Sequence, residues 1–261
     1  METFLLCPPD YFSIEYSINP WMLGEKVDHT LVMSQWQNLC STIQHLGGNI
    51  KIIKPIKGLP DMVFAANSGI VCGNDVVLSR MKHKERQGET EHYRDWFVSS
   101  GYNIIDLMPG VTFEGRGDSL LYSNSLVGGY GFRSSKKALE ITASILGLNL
   151  FTLELANPRF YHLDTCFCRV SKDKAIYFPD AFKSGEIKKL QGIIDLIPVD
   201  DEDAQLFMCN SMLVNDVLLV PSNHTSIGKK IRNRLGIKTC TVNVSEFLKS
   251  GGSIQCLCLK I

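Results

Sequence analysis

The sequence NSGIVCGNDVVLS, residues 67–79, contains the pattern on which the fold prediction depends. A polar residue, Asn67, precedes two apolar runs that flank a polar turn at 73–75. Asn-Asp is turn chemistry typical of a β-hairpin. The same form recurs further along the chain, with polar turns at 123–125, 171–174 and 214–216.

The polar residue that opens each apolar run recurs at nearly constant spacing. Asp118, Asp164, Asn210 and Cys256 are each 46 residues apart, and Asn67 lies 51 residues before Asp118. A fixed period of this size is typical of repeat architectures. If the units close into a ring, these residues are expected to meet on one axis.

Each hairpin is followed by a helical pattern and another apolar segment, so the unit is hairpin, helix, strand. Helices are predicted at 31–47, 136–147, 183–194 and 226–236, and the strands after them at 49–56, 150–155, 195–199 and 239–244. Residues 3–8 form a further strand that could close the last unit. We therefore predict an α/β fold in which one domain, residues 1–261, contains five units in a ring. The alternative is a doubly wound α/β sheet, which does not need a hairpin in every unit.

Composition limits the class of protein. The chain is 44% apolar and 21% charged with a formal net charge of +0, which argues against nucleic acid as a partner. We expect no signal peptide and no membrane span. The nine cysteines include no C-x-x-C pair, which favours buried thiols in a reducing cytoplasm over a metal site.

Cys256 is the candidate nucleophile. It follows SGGSIQ, residues 250–255, whose glycines allow close approach of a ligand to the backbone. A reactive cysteine needs a partner that favours its thiolate. His162, two residues before Asp164, suits acid–base chemistry because its ordinary pKa lies near neutrality.

Carboxylates and arginines indicate the kind of substrate. Glu114 and Asp118, in FEGRGD, join Asp164 in a cluster that favours a cation. A guanidinium fits it better than a metal, because no metal-ligand spacing is present. Arg86 and Arg133 are candidates to hold the carboxylate of an amino-acid substrate. The polar stretch 80–92 is a candidate lid.

Seven segments together resemble the guanidino-group-modifying superfamily, which includes arginine deiminases, dimethylarginine dimethylaminohydrolases, amidinotransferases and arginine dihydrolases. These segments occur in order along nearly the whole length of the chain: 7–22, 59–69, 83–97, 113–121, 129–135, 162–167 and 251–259. The resemblance implies a five-bladed α/β propeller, the pentein fold. It implies a small-molecule substrate, arginine or an N-methylated arginine, and no cofactor. Whether the protein is a homo-oligomer stays open.

The resemblance also implies roles for individual residues. Cys256 matches the nucleophile, His162 the general acid and base, and Glu114 the acid that orients the histidine. Residues that match substrate-binding positions are Asp164 for the guanidinium, Arg86 and Arg133 for the carboxylate, and Asn19 in a nearby segment.

Asn67 occupies a position where deiminases and dimethylargininases carry aspartate, and its context is similar to the cyanobacterial-type arginine dihydrolases. The resemblance therefore favours a hydrolase that converts arginine to ornithine, carbon dioxide and ammonia. The alternatives are a dimethylarginine dimethylaminohydrolase or an arginine deiminase that forms citrulline. A different class is a non-catalytic binding module with the same fold.

Overall fold

The described residues form five three-stranded sheets that repeat along the chain. A computed structural model describes residues 1–222 and 225–261. Its strands are β1 Thr3–Leu6, β2 Asn49–Ile52, β3 Gly69–Cys72, β4 Asp75–Leu78, β5 Asn103–Ile105, β6 Ser119–Tyr122, β7 Ser125–Tyr130, β8 Asn149–Glu154, β9 Phe167–Arg169, β10 Lys174–Tyr177, β11 Asp195–Pro198, β12 Met212–Val214, β13 Val217–Val220, β14 Lys238–Thr241 and β15 Leu259–Lys260. Its α-helices are α1 His29–His45, α2 Lys84–Gln87, α3 Glu89–Ser99, α4 Lys136–Ile145, α5 Asp201–Gln205, α6 Ser226–Leu235 and α7 Ser245–Leu248.

Every sheet has the same topology. Its first two strands are antiparallel, as in the hairpin β3–β4, and its third strand is parallel to the second after a crossover. The last sheet has the order β15-β1-β2, so the N-terminal strand pairs with the C-terminal strand. This pairing closes the ring, and the protein is a five-bladed α/β propeller as the repeat predicted.

Helix α1 shows how the outer layer is held. Its buried residues include Val32, Trp36, Leu39 and Ile43, which recur at helical spacing and join the same apolar cluster as Phe4 of β1. The helix begins two residues earlier than predicted because the Asp28 carboxylate accepts hydrogen bonds from the first-turn N–H groups. In the described part of the chain, every helix is too short or too polar to span a bilayer.

The helix predicted at 183–194 is wrong. A short 3-10 helix, Glu186–Leu190, takes its place. Gly185 and Gly192 both have positive φ, so the backbone leaves the right-handed helical region on each side. Helix α3, Glu89–Ser99, is also not predicted from the sequence, and its first residues belong to the polar stretch 80–92.

Candidate active site

The five residues of the repeat meet at one end of the propeller axis. Each lies in or beside the short turn that precedes the first strand of its sheet. The Asn210 side-chain amide donates to the backbone carbonyl of Asp164 at 2.9 Å. Asp118 Oδ1 accepts from the backbone N–H of Leu163 at 3.1 Å. A side chain at Gly117 would lie 2.2 Å from Asn67 Nδ2, so neighbouring turns are in close contact.

The Cys256 thiol lies between a carboxylate and an amide. Its Sγ is 3.5 Å from Asp164 Oδ2, to which the thiol donates. Asn210 Nδ2 donates to the same sulfur at 3.1 Å. Asn210 Oδ1 accepts from the backbone N–H groups of Gln255 and Cys256, so its amide orientation is fixed. The sulfur therefore has one acceptor and one donor in fixed positions.

Electrostatics keep this thiol protonated in the free protein. Burial raises the pKa of Cys256 well above its ordinary value, and the neighbouring Asp164 carboxylate raises it further. Burial also raises the pKa of Asp164, to about 7, against the opposing charge of His162. A cation placed beside the sulfur would favour the thiolate.

His162 is held by a buried ion-pair network. Its Nε2 lies 2.7 Å from Glu114 Oε2, and Arg133 Nη1 donates to the same oxygen at 3.0 Å. Burial opposes ionisation of Glu114, but the charges of Arg133 and His162 outweigh it and hold its pKa well below the usual range. Because Glu114 is ionised, Nε2 carries the proton that it donates, which leaves Nδ1 of His162 for proton exchange.

Arg86 is bound on three sides. Glu89 accepts from its Nε and Nη2 at 2.8 and 2.9 Å, and the backbone carbonyl of Asp61 accepts from Nη2 at 3.1 Å. Its Nη1 donates to Asn67 Oδ1 at 2.8 Å. One N–H of Nη1 is therefore left for a ligand, whereas Arg133 uses only two donors, one to Glu114 and one to the carbonyl of Ile18.

The same hydrogen bond changes the expected role of Asn67. Its oxygen is occupied by Arg86, and its Nδ2 has no partner among the described residues. Asn67 can thus offer a free donor to the cavity, while its oxygen is held toward Arg86. Asp164 Oδ1 and Asp61 Oδ1 likewise have no partner in that part of the chain. These buried polar atoms are suited to a polar ligand, since unpaired buried groups are costly.

The cavity at this site is nearly closed, with a volume of about 10 Å³. Ile18, Asn19 and Met22 line one side of it, and they belong to a segment, residues 16–22, that covers the site. Asn19 Nδ2 donates to the carbonyl of Ser250 at 3.1 Å, and Tyr16 donates to Asp61 Oδ2 at 3.0 Å. These contacts hold the segment 16–22 against the cavity, whereas Arg86 is the residue of 80–92 that lines it.

The structure brings most of the predicted site residues to this cavity. Those that line it are Asn19, Asn67, Arg86, Arg133, His162 and Cys256. Glu114 and Asp164 contact these residues directly from behind. Asp118 differs, because its two oxygens accept from the backbone N–H groups of Ser134 and Leu163, and it does not line the cavity.

Sequence reasoning did not assign a role to four residues that the geometry places at the site: Asp61, Glu89, Tyr161 and Asn210. Asn210 could have been found, because it occupies the repeat position between Asp164 and Cys256. Tyr161 packs against the Arg133 guanidinium, whose carbon lies 4.6 Å from the ring centroid. No sequence signal marked that contact.

This site and fold define a class of protein. Residues 13–261 match the profile of the eukaryotic N,N-dimethylarginine dimethylhydrolase family. The chain is 35% identical to an N(G),N(G)-dimethylarginine dimethylaminohydrolase of Mycobacterium tuberculosis, over 99% of this chain and 85% of the relative. The chain belongs to this family.

Within the wider group, the chain is also similar to cyanobacterial enzymes. It is 39% identical, over 98% of its length, to the bifunctional arginine dihydrolase/ornithine cyclodeaminase ArgZ of Synechocystis sp., but it spans only 37% of that protein. The crystal structure of the N-terminal domain of ArgZ, in a cysteine-to-serine variant bound to substrate, matches with a TM-score of 0.95 and 38% identity. That match covers 100% of this chain and 98% of the ArgZ domain. The same domain is also known with product bound, at 38% identity and a TM-score of 0.95 over 99% of this chain and 97% of the domain.

Proposed function

We propose that the protein is a cysteine-dependent hydrolase of arginine-type guanidines, and that it acts as an arginine dihydrolase. The observation that carries the proposal is the Cys256 sulfur, held between Asp164 and Asn210 in a cavity that His162 also lines. The 38% identity to the substrate-bound ArgZ domain supports arginine as the substrate. We propose that residues 1–261 act as a single catalytic domain in the cytoplasm.

The first step is addition of the Cys256 thiolate to the guanidinium carbon. Asp164 accepts hydrogen bonds from the guanidinium nitrogens, and the substrate cation favours ionisation of the thiol. Arg133 and the free N–H of Arg86 bind the α-carboxylate. His162 donates a proton to the departing nitrogen, so ammonia leaves and an amidino-thioether remains.

In this scheme, Asn67 decides whether the amidino-thioether gives citrulline or ornithine. Water, activated by His162, adds to the amidino carbon. If the C–S bond then breaks, the product is citrulline. If the second terminal nitrogen leaves as ammonia, an S-carbamoyl group remains. A second water hydrolyses it, so that the C–S bond and the bond from that carbon to the ornithine nitrogen break, and the Cys256 thiol, carbon dioxide and ornithine are released. Asn67 Nδ2 is free to donate to the added oxygen, whereas an aspartate would instead hold a terminal nitrogen.

The experiment is incubation of the purified protein with L-arginine and, separately, with asymmetric dimethylarginine. Ornithine, citrulline, ammonia and dimethylamine are resolved. Ornithine with two ammonia per arginine is the expected result. Citrulline from arginine would instead indicate a deiminase, and citrulline from dimethylarginine a dimethylarginine dimethylaminohydrolase, which the matched family profile favours as the second candidate. Turnover of neither substrate would contradict the proposal.

The non-catalytic alternative makes a different prediction. In a binding module, Cys256 would react with a thiol reagent no faster than other buried cysteines such as Cys209. In the proposed enzyme, arginine added to the protein should change the alkylation rate of Cys256 selectively. Peptide mapping after alkylation separates the two cases.

A further inference from the structure

A second cavity lies at the other end of the propeller axis. It has a volume of about 400 Å³ and is separate from the candidate active site, with which it shares no lining residue. The first strands of the sheets run from the active-site turns toward it, and β3, β6 and β9 supply much of its wall. Apolar side chains such as Ile70 and Leu120 form that wall.

The charged side chains that line this cavity are all cations. Arg116, Arg169 and Lys260 line it, and no aspartate or glutamate side chain of the described residues does so. Lys260 pairs with Glu2. Neither the Arg116 nor the Arg169 guanidinium has a hydrogen bond or ion pair within residues 1–222 and 225–261, although both side chains are half-buried.

The two guanidiniums are close enough to repel each other. Burial lowers the pKa of Arg116, the negative charge of Asp164 opposes that shift, and the positive charge of Arg169 has a smaller lowering effect. A half-buried arginine without a partner loses hydration that nothing replaces, and a second one beside it adds repulsion. An anion between them would relieve both effects, because the guanidinium fork matches phosphate and carboxylate oxygens.

The backbone holds Arg116 firmly in this place. It is the central residue of the turn Gly115–Gly117. A Cβ at Gly115, where φ is +56°, would lie 2.6 Å from backbone atoms of Gly69. Together with the tight contact of Gly117 on Asn67, this packing fixes the turn between the two cavities. Arg116 is therefore presented on a rigid element, as a binding site requires.

We propose that this axial cavity is a binding site for a small oxyanion, a compact molecule that carries a phosphate or carboxylate group between Arg116 and Arg169. The apolar wall accommodates the body of that molecule, while the two arginines bind its charged group. Nothing in the catalytic scheme uses these residues, so the site is distinct from the substrate site.

The test is calorimetric titration of the full chain with inorganic phosphate and, separately, with succinate, at an ionic strength held constant with sodium chloride. We expect saturable binding of one anion per chain for at least one of these probes. Arg116→Gln and Arg169→Gln should each weaken it about tenfold or more, as loss of a charged hydrogen-bond partner does. Arg234→Gln, which removes an exposed charge from α6, is the matched control and should leave it unchanged.

Two further measurements distinguish anion binding in the axial cavity from binding in the candidate active site and from loss of folding in the variants. Arg133→Gln tests whether the anion binds in the candidate active site instead, and loss of binding in that variant alone would overturn the proposal. Thermal melts without anion test folding: because repulsion is relieved, the Arg116 and Arg169 variants should melt no lower than the wild type. Absence of saturable binding for both probes, or equal binding by the wild type and the two variants, would also overturn it.

Discussion

Replacement of Asn210 by aspartate should show how the thiolate is stabilised. Asn210→Asp is isosteric and keeps the oxygen that accepts from the N–H groups of Gln255 and Cys256, at 3.1 and 3.2 Å. The amide nitrogen that donates to Cys256 Sγ at 3.1 Å becomes a second oxygen. The change therefore removes the donor at the sulfur and the hydrogen bond from the same nitrogen to the Asp164 carbonyl, while the contacts with the N–H groups of Gln255 and Cys256 remain.

The magnitude follows from the charge that develops on the sulfur. A hydrogen bond to a charged group contributes about 1.5–3 kcal/mol. Since each 1.36 kcal/mol corresponds to about tenfold in rate, kcat/KM should fall roughly 10- to 150-fold. The fall in kcat/KM should be larger at higher pH, because the new carboxyl group then ionises and repels both the thiolate and Asp164.

Two assays should agree on this result. One measures kcat/KM for arginine; the other follows iodoacetamide alkylation of the Cys256 peptide by mass spectrometry against pH, with no substrate present. The thiol pKa obtained from alkylation should rise in the variant. Asn38→Asp, on the exposed face of α1, is the matched control and should match the wild type in both assays. Wild-type values of both quantities in Asn210→Asp would refute the role given to this amide.

Three other substitutions test the rest of the site. Cys256→Ser should reduce turnover to background while arginine still binds, as calorimetry can measure; normal turnover would exclude the covalent route. Asn67→Asp should move the products from ornithine toward citrulline, because the free donor at Nδ2 is lost, and an unchanged product ratio would count against the branch argument. Asp164→Asn should abolish turnover yet stabilise the free protein. Burial raises the folded-state pKa of Asp164 to about 7, so the wild type loses stability as pH rises from the ordinary value of 3.8 through 7. The advantage of the variant in melting temperature should therefore be larger at pH 8 than at pH 5, and an equal difference at both would contradict the shifted pKa.

The repeat made most of the fold predictable. Periodicity places four hairpins without knowledge of contacts, because alternation and turn chemistry are local properties of the sequence. The closure of the ring by 3–8 followed from the same count. The helix prediction for 183–194 was wrong for a local reason too, because its glycines interrupt a pattern that otherwise fits a helix.

The sequence predicts which residues form the site, but it does not predict the contacts among them. Cys256 and Asp164 stand out because the repeat and the resemblance both select them, and His162 because it lies two residues before Asp164 and also matches the resemblance. The hydrogen bond from Arg86 that occupies the Asn67 oxygen depends on how α2 packs against a turn 19 residues away in sequence. The segment 16–22 has no periodic pattern; the resemblance selects Asn19 within it, and its contacts with Asp61, Arg133 and Ser250 show that it lies against the site.

The unpaired atoms of the closed cavity explain how binding and activation are linked. Asp164 Oδ1 and Asp61 Oδ1 are buried acceptors with no partner in the described chain. Each unpaired buried acceptor destabilises the free protein by about 1–3 kcal/mol. A ligand with hydrogen-bond donors at both ends would pair with both acceptors and remove this destabilisation. Arginine has a guanidinium at one end and an ammonium group at the other. The same guanidinium brings positive charge to a thiol whose pKa is raised by burial and by Asp164. In the proposed enzyme, Cys256 would thus become nucleophilic when arginine is bound, and burial would protect it from other reactions when it is not.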